Sequence, residues 1–403
     1  MVLTAGTNAL TFKATSGTSP ITSNGQTMDF PVTFDGIGGT WSLQDNMLVA
    51  STRTTTLTNG SISLNSYSLT TGIFSSNNSN SRTIAFGTGK VVLTATGTSP
   101  WILATATNLA ISGTSRIEIV GNGTSGQTRS INHGFTGGTE ANSPNFYVLA
   151  GADNVSFTGS RTYGTIDFYD GGASTFTGNF QSDNWAFSVY GNLVLSTSVA
   201  GITTSSTFTG PITFAATSGT KTITTAGKTY PISLYFNGVG GTWQLQDALT
   251  LLSTEGTRLI NGSLLLNGYT LTTGSFQSSY SNIRTLTFSN GTVVVTGSIW
   301  QTLIATNLTT DATGTISMTS ASPKTFAGGG GTWSKLLNSG AGALTITGAN
   351  TFMEIGNSVS PASFVFPAST TTSAYAYSIN GTASNLVSLR SSTPGTQYTL
   401  AKL

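Results

Sequence analysis

The chain has 403 residues and a formal net charge of +2, and only 7% of its residues are charged. Ordinary globular domains carry about 25% charged residues, so the surface of this protein must consist mainly of neutral polar side chains. The hydrophobic content of 37%, with 21 Phe and 6 Trp, is too high for a disordered linker. The 15 Lys and Arg residues are spread along the chain, which excludes a basic surface for nucleic acid.

The sequence contains no cysteine, so we expect no disulfides and no thiolate metal site. No run approaches the roughly 20 apolar residues of a membrane span, and we expect no membrane insertion. The opening, MVLTAGTNALTF, lacks the basic and long apolar regions of a signal peptide. We therefore expect either release without classical secretion or a piece of a longer protein. The absence of cysteine and the low charge suit a virion or an extracellular surface, which is the expected location.

Short segments along the whole chain alternate polar and apolar residues with a period of two, which is typical of half-buried β-strands. Gly, Asn, Asp and Ser separate these segments, as turns require, and no segment has the period and caps of an amphipathic helix. The pattern predicts an all-β protein, with strands in chain order at TWSLQD (40–45), SISLNSYSL (61–69), RTIAF (82–86), KVVLTAT (90–96), RIEIV (116–120), TIDFYD (165–170), NLVLS (192–196) and ALTITG (343–348).

The chain contains a tandem duplication. Residues 11–94 and 213–296 align without a gap, with 45 identities over 84 positions. The agreement is densest where FDGIGGTWSLQD (34–45) matches FNGVGGTWQLQD (236–247). We therefore expect the two copies to superpose, with Trp41 and Trp243 in the same environment.

Each copy repeats internally, since apolar triplets recur at steps of 21 and 22 residues. That step suits one coil of a solenoid, in which each coil stacks its inward side chains on those of the next. We predict a right-handed parallel β-solenoid of roughly 19 coils, with tandem β-sandwich domains as the alternative. The triplets are Trp41–Leu43, Ile62–Leu64 and Ile84–Phe86, then Trp243–Leu245, Leu264–Leu266 and Leu286–Phe288.

The two modules differ in length. We assign a first module to 1–200 and a second, shortened module to 201–360. The first contains an elaborated segment at about 125–195, which has only an eroded counterpart in the second. The final residues, 361–403, are predicted to form closing coils or a cap.

The duplicated strings resemble repeat modules of large structural proteins of marine tailed phages. The residues that carry the resemblance are TFAATSGTKTITTAGKTYPISLYFNGVGGTWQLQDALTL (213–251), NGSLLLNGYTLTTGSFQSSYSNIRTLTFSNGTVVVTG (261–297), the first-module counterpart from Thr11 to Gly97, and SINGTASNLVSLRSSTPGTQYTL (378–400). The resemblance implies a virion appendage, such as a tail fibre, a spike or a capsid-associated fibre, which spaces or presents a host-contacting surface. Its expected partners are further copies of itself, as a homo-oligomer such as a trimer, other virion proteins, and a host surface glycan.

The residue types that most catalysis needs are scarce. His133, in SINHGFTGG, is the only histidine, whereas catalytic triads and histidine metal sites need further partners. We interpret His133 as a turn residue beside Gly134. We expect no enzyme activity, no metal and no cofactor. The recurring Asp45 and Asp247 are interpreted as coil-end turn residues.

The best candidates for ligand binding lie in the elaborated segment, where carboxylates and aromatic residues are concentrated. Saccharide-binding surfaces use aromatic faces together with hydroxyl acceptors. A structural explanation stays open, because DGG and GADN are turn signals and residues three apart in a strand project to opposite faces. The predicted contacts are Asp167, Tyr169, Asp170 and Trp185, within a wider set of Glu140, Asp153, Asp183, Tyr147, Tyr163, Tyr190 and Arg161.

Two other functions remain open at this point. A bacterial surface adhesin or a self-assembling extracellular filament would use the same solenoid, and the modules also resemble β-solenoid adhesins. A polysaccharide-cleaving tailspike would need two carboxylates converging on one groove. The sequence contains only the loose cluster of the elaborated segment.

Overall fold

The computed structural model describes residues 5–97, 99–157, 161–182, 186–204 and 210–403. It divides into two compact units, Met1–Gly210 (unit 1) and Pro211–Leu403 (unit 2). Apart from one 3-10 turn at Asp170–Gly172, the regular structure of the described residues is β-strand. None of the helical structure in these residues is long and apolar enough to span a membrane.

The strands of unit 1 are short, and the two longest occur where the duplicated sequence is densest. They are β1 Leu10–Phe12, β2 Thr18–Ile21, β3 Thr27–Met28, β4 Val32–Leu43, β5 Met47–Val49, β6 Thr54–Ser63, β7 Ser68–Thr71, β8 Ile73–Ser75, β9 Arg82–Ala85, β10 Lys90–Leu93, β11 Trp101–Leu103, β12 Leu109–Ser112, β13 Ile117–Ile119, β14 Thr128–His133, β15 Phe146–Val148, β16 Asn154–Phe157, β17 Thr162–Tyr163, β18 Ile166–Asp167, β19 Asn179–Ser182, β20 Phe187–Val189, β21 Leu193–Val194 and β22 Gly201–Thr204.

Unit 2 begins with nearly the same succession of strand lengths. Its strands are β23 Ile212–Phe214, β24 Thr220–Thr224, β25 Thr229–Tyr230, β26 Leu234–Leu245, β27 Leu249–Leu251, β28 Gly256–Leu265, β29 Thr270–Gln277, β30 Arg284–Thr287, β31 Thr292–Gln301, β32 Leu308–Thr310, β33 Thr315–Met318, β34 Lys324–Ala327, β35 Thr332–Asn338, β36 Leu344–Thr347, β37 Thr351–Asn357, β38 Ser363–Phe366, β39 Thr371–Ser378, β40 Ser388–Ser391 and β41 Thr399–Lys402.

Every strand pair whose register is defined within the described residues is parallel, and each of these strands pairs with the strand one coil further along the chain. In unit 1, β4 pairs with β6 so that Trp41 lies opposite Ile62, and Ile62 in turn lies opposite Ile84 of β9. Unit 2 has the same register from Trp243 to Leu264. This is the parallel β-solenoid expected from the 21- and 22-residue steps. The β-sandwich alternative is wrong, since sandwiches are built from antiparallel strands.

The chain makes about 17 turns, fewer than the roughly 19 that a uniform short coil predicts. Some coils of unit 1 are longer, and these begin before the elaborated segment. One ladder runs from Phe74 to Trp101 and then from Trp101 to Ile131, steps well above 22 residues. The extra residues form loops at the corners between ladders.

The inward side chains form continuous apolar columns. Phe34 stacks on Phe12 with ring centroids 5.1 Å apart and contacts Trp41 at 5.3 Å. The equivalent trio in unit 2 has centroids 5.0 Å apart for Phe214 and Phe236, with Trp243 5.8 Å from Phe236. Trp41 and Trp243 are both buried, so their predicted equivalence is confirmed.

Aspartates and asparagines close the corners. The Asp45 carboxylate accepts hydrogen bonds from the backbone N–H groups of Ser23, at 2.9 Å, and Asn24, at 2.6 Å, one coil back. These bonds, led by the one from Ser23, lower the pKa of Asp45. Asp247 accepts the same pair from Thr225 and Ala226. The coil-end interpretation of both aspartates is confirmed.

Buried cations hold other corners by donating to carbonyl oxygens. Arg82 Nε donates to Asn80 O and its Nη1 to the Ser76 carbonyl and hydroxyl. Arg284 makes the equivalent contacts in unit 2. Lys324 Nζ donates to three backbone carbonyls at 2.9, 3.1 and 2.6 Å. A buried charge is tolerated only when it is paired or hydrogen-bonded. Removing the cation from one of these corners should therefore destabilise the fold, because the carbonyl oxygens would lose their donor.

The strand register predicts that substitutions at inward positions lower the free energy of unfolding far more than substitutions at outward positions. Leu64 is fully buried, so Leu64→Ala should lower the free energy of unfolding of unit 1 by about 2–5 kcal/mol, and Leu64→Asp should prevent folding by burying an unpaired charge. The control is Ser61→Ala, an outward position expected to change stability by less than about 0.5 kcal/mol. Urea unfolding followed by tryptophan fluorescence measures both. Equal unfolding midpoints for Leu64→Ala and the wild type would contradict the assigned register.

Candidate functional site

The predicted ligand contacts of the elaborated segment lie beside an outward row of side chains on one ladder of unit 1. Strands β13, β15 and β18 pair in parallel, which aligns Glu118, Tyr147 and Asp167. Their neighbours Ile117, Phe146 and Ile166 form the parallel inward row and are fully buried. Alternation along each strand therefore directs the three polar residues outward.

Asp167 ends its strand and shapes the turn that follows. Its Oδ1 accepts hydrogen bonds from the backbone N–H of Tyr169, at 2.7 Å, and of Asp170, at 2.8 Å. Asp170 then adopts a φ of 44°, a left-handed conformation that Asp tolerates better than most residues. The turn leaves the Tyr169 side chain 46% exposed.

Arg116 connects the turn to the outward row. Its Nη2 donates to Asp170 Oδ2 and its Nε to Glu118 Oε1, both at 2.6 Å. The guanidinium also lies 4.0 Å from the ring centroid of Tyr147, within the range of a cation–π contact. We name Arg116, Tyr147, Asp167, Tyr169 and Asp170 the unit 1 patch.

Charges in and beside the unit 1 patch are balanced by close partners. Glu118, which is 4% exposed, also receives Lys90 Nζ at 2.9 and 3.0 Å from its two oxygens. Burial works against the charged form of Arg116, but the hydrogen bonds to Asp170 and Glu118 outweigh it and raise the pKa of Arg116. Burial raises the pKa of the Tyr147 hydroxyl as well. Arg116 therefore stays charged and paired at neutral pH.

The unit 1 patch can bind hydroxyl groups and has an exposed aromatic ring. Asp167 Oδ2 and Asp170 Oδ1 accept no hydrogen bond within the described residues, so each can accept one from a ligand. The Tyr147 ring is partly covered by Arg116, whereas the Tyr169 ring is largely open to solvent. Such a surface suits weak contact with a polar ligand such as a glycan.

Three of the four predicted contacts, Asp167, Tyr169 and Asp170, come together in one turn. The idea that the two aspartates project to opposite faces of a strand is wrong, because the strand ends at Asp167 and Asp170 belongs to the 3-10 turn. Trp185 lies outside the described residues, as does Asp183. That these residues bind a ligand stays a prediction.

Other members of the wider acidic and aromatic set have structural contacts. Asp153 is fully buried and pairs with Arg129, which is also fully buried. Tyr163 lies inside the aromatic core, 5.2 Å from Phe157. Tyr190 donates its hydroxyl to the Gly138 carbonyl at 3.0 Å. These residues are close in sequence to the patch residues, so their positions in the sequence did not show that they have structural contacts.

Sequence reasoning missed Arg116, Glu118 and Lys90. A signal was present, because RIEIV (116–120) places Arg116 and Glu118 two apart in a predicted strand, hence on one face. The contact of Arg116 with Asp170 spans 54 residues. Whether Arg116 reaches Asp170 depends on the number of residues in each intervening coil, and these coil lengths are irregular in this segment.

The interpretation of His133 as a turn residue is wrong. His133 ends β14 and is fully buried, stacked on Phe135 with centroids 5.0 Å apart. Burial lowers its pKa to about 3, so the ring is neutral at physiological pH. Among the described residues, no group of three His, Cys, Asp or Glu side chains could hold a metal ion.

Comparisons with known proteins found no matching family model, no similar curated protein and no similar solved structure.

The ion pairs of the unit 1 patch should contribute unequally to stability. Arg116→Met leaves the buried Glu118 with a single cation, and we expect a loss of about 1–3 kcal/mol. Asp170→Asn removes a partly exposed pair and should cost less than about 1 kcal/mol. Thermal unfolding at low and high salt measures both, with Lys402→Met as the exposed control. An Asp170→Asn effect as large as that of Arg116→Met would contradict this ranking.

Proposed function

We propose that this chain is a non-enzymatic structural component of a phage virion appendage, and that it spaces or presents a host-contacting surface. The observation that carries the proposal is that the carboxylates, which would be the catalytic groups of a glycan-cleaving protein, are used to hold the coils together. The remaining support comes from the repeated core, the resemblance of the duplicated strings, and the exposed patch.

Most of the 13 carboxylates have a structural partner. Such a carboxylate is fixed by its partners and is poorly placed to act as an acid, base or nucleophile on a substrate. The contacts are Asp29 with Arg53, Asp35 with Asn59, Asp45 with Ser23, Glu118 with Lys90, Asp153 with Arg129, Asp167 with Tyr169 N–H, Asp170 with Arg116, Asp247 with Thr225, Glu255 with Ser233, Asp311 with Phe288 N–H, and Glu354 with Lys335.

The duplicated core supports a mechanical role. Both units begin with the same aromatic trio and the same corner aspartate, so the second copy repeats the coil structure of the first. A repeat in which each coil contacts its neighbours lengthens by adding coils. The strings at 213–251 and 261–297 resemble phage appendage modules, which is the support for placing the chain on a virion.

The unit 1 patch is the surface we propose to be presented. It lies where the repeat departs from its regular coil, and insertions in repeat proteins collect on binding faces. Its exposed tyrosine supplies contact area at low conformational cost. A host surface glycan is the partner whose hydroxyls match the remaining carboxylate acceptors.

The non-enzymatic part is tested by incubating the purified chain with a panel of bacterial envelope polysaccharides. We expect no new reducing ends above the buffer control, because the carboxylates are held in structural contacts. A glycosidase active on the same panel is the positive control. Sustained release of reducing ends that is lost in a Glu118→Gln or Asp167→Asn variant would overturn the proposal.

The virion part is tested by mass spectrometry of purified particles of the phage that encodes the chain. We expect its peptides at a ratio to tail proteins that stays constant through successive purification steps. Peptides found only in the particle-free lysate would contradict the assignment.

A further inference from the structure

Unit 1 contains a cleft that is separate from the patch. Its volume is about 380 Å³, and it is lined by the loop 104–107, the loop 134–137 and Arg161. This volume falls within the roughly 300–1,000 Å³ of small-molecule sites. The two loops follow β11 and β14, which are paired neighbours in one ladder, so they leave the coil side by side.

One wall of the cleft is held by a buried arginine. Arg82 Nη2 donates to the Thr107 carbonyl at 2.6 Å, and the rest of its guanidinium is fixed at the preceding corner. Unit 2 has the same wall, since Arg284 Nη2 donates to the Thr306 carbonyl at 2.7 Å. The wall is therefore a built feature that both modules share.

The other wall is fixed by a glycine-rich loop. The Phe135 carbonyl accepts from the Thr162 N–H at 2.8 Å and from its hydroxyl at 3.3 Å. A Cβ on Gly138 would lie 2.0 Å from Thr162 Oγ1, so only glycine allows this approach. These contacts also fix the backbone next to Arg161.

Among the described residues that line the cleft, only Arg161 is charged. Its Nε is buried and has no hydrogen-bond partner within the described residues, and no described carboxylate forms an ion pair with it. A buried donor without a partner costs about 1–3 kcal/mol. A carboxylate would satisfy it, because guanidinium and carboxylate match in a bidentate, charge-assisted pair.

The buried His133 does not compensate this charge. His133 is buried beside the cleft and interacts with Arg161, and its pKa is lowered to about 3, mainly by burial. The imidazole is therefore neutral and offers no negative charge. His133 therefore does not offset the charge of Arg161.

The remaining lining favours a sugar ring. Thr105, Thr107 and Thr136 are exposed, and Phe135 is half-buried. Hydroxyls both donate and accept, as sugar hydroxyls do, and an aromatic face packs against a sugar ring. We propose that the unit 1 cleft binds the carboxylate-bearing ring of an acidic saccharide, with the Arg161 guanidinium pairing with the carboxylate. This inference does not depend on the proposed virion role, since the cleft would bind such a ring wherever the protein is located.

Unit 2 provides an internal comparison. Its corresponding cleft has a volume of about 540 Å³ and is lined only by neutral residues, including Thr309, Trp333 and Gly330. The Gly330 N–H is already paired with Asn350 Oδ1 at 3.0 Å. The carboxylate site should therefore occur once in the chain, in unit 1.

The test is calorimetric titration of the full chain with trigalacturonate, its methyl ester and citrate. We expect one site for trigalacturonate on the wild type. The wild type should bind the methyl ester, and the Arg161→Gln variant should bind trigalacturonate, with an affinity about 10-fold or more weaker, since a charge-assisted hydrogen bond is lost in each case. Arg390→Gln, which removes the same charge from an exposed position, should bind like the wild type. Thermal unfolding confirms that each variant is folded.

A second variant blocks the cleft without removing the charge. Nothing lies within 4 Å of a Cβ built on Gly137, so Gly137→Leu should fold normally and abolish binding by filling the cleft. The proposal is overturned if trigalacturonate does not bind, if Arg161→Gln or Gly137→Leu binds as tightly as the wild type, or if Arg390→Gln loses as much affinity as Arg161→Gln. Citrate binding as tight as that of trigalacturonate would overturn the saccharide assignment.

Discussion

Each coil of this protein lies in register on the next, so every side chain sits above a side chain of the neighbouring coil. Parallel strands are about 4.8 Å apart, which brings identical inward positions into van der Waals contact. The aromatic trios around Trp41 and Trp243 follow from this spacing. The same constraint acts on the outside, where like charges one coil apart would repel. Asn59 instead donates to Asp35 at 2.7 Å, and Asn261 to Asn237 at 2.6 Å.

The scarcity of charge and its placement have one physical explanation. Because the ladders satisfy the backbone along each face, unpaired N–H and carbonyl groups collect at the corners. Carboxylates such as Asp45 accept from the orphaned N–H groups, and cations such as Arg82 and Lys324 donate to the orphaned carbonyls. Many of the few charged residues are consequently structural, which is the support for the proposed structural role.

The coil of unit 1 is less regular from β11 onward, and both candidate binding features of unit 1 occur there. Longer coils let residues distant in sequence meet, as Arg116 and Asp170 do in the patch. The cleft has a different origin, since its walls recur in unit 2. Arg161 distinguishes the unit 1 cleft from its counterpart. Each module therefore contains a copy of the concave site, and the two copies differ chemically because Arg161 lines the unit 1 cleft and no charged residue is among those lining the unit 2 cleft.

The sequence by itself determined the coil, because a period of two within strands and a step of 21–22 residues between Trp41, Ile62 and Ile84 are compatible with one stacking register. It also placed the aspartate corners, whose turn signals are local. The patch was only half predictable: Asp167 and Asp170 were found by composition, but Arg116 was not. Its pairing depends on how many residues each intervening coil contains, and loop length carries no local signal. The Arg161 cleft was likewise decided by tertiary structure, since it depends on which loops leave the coil side by side.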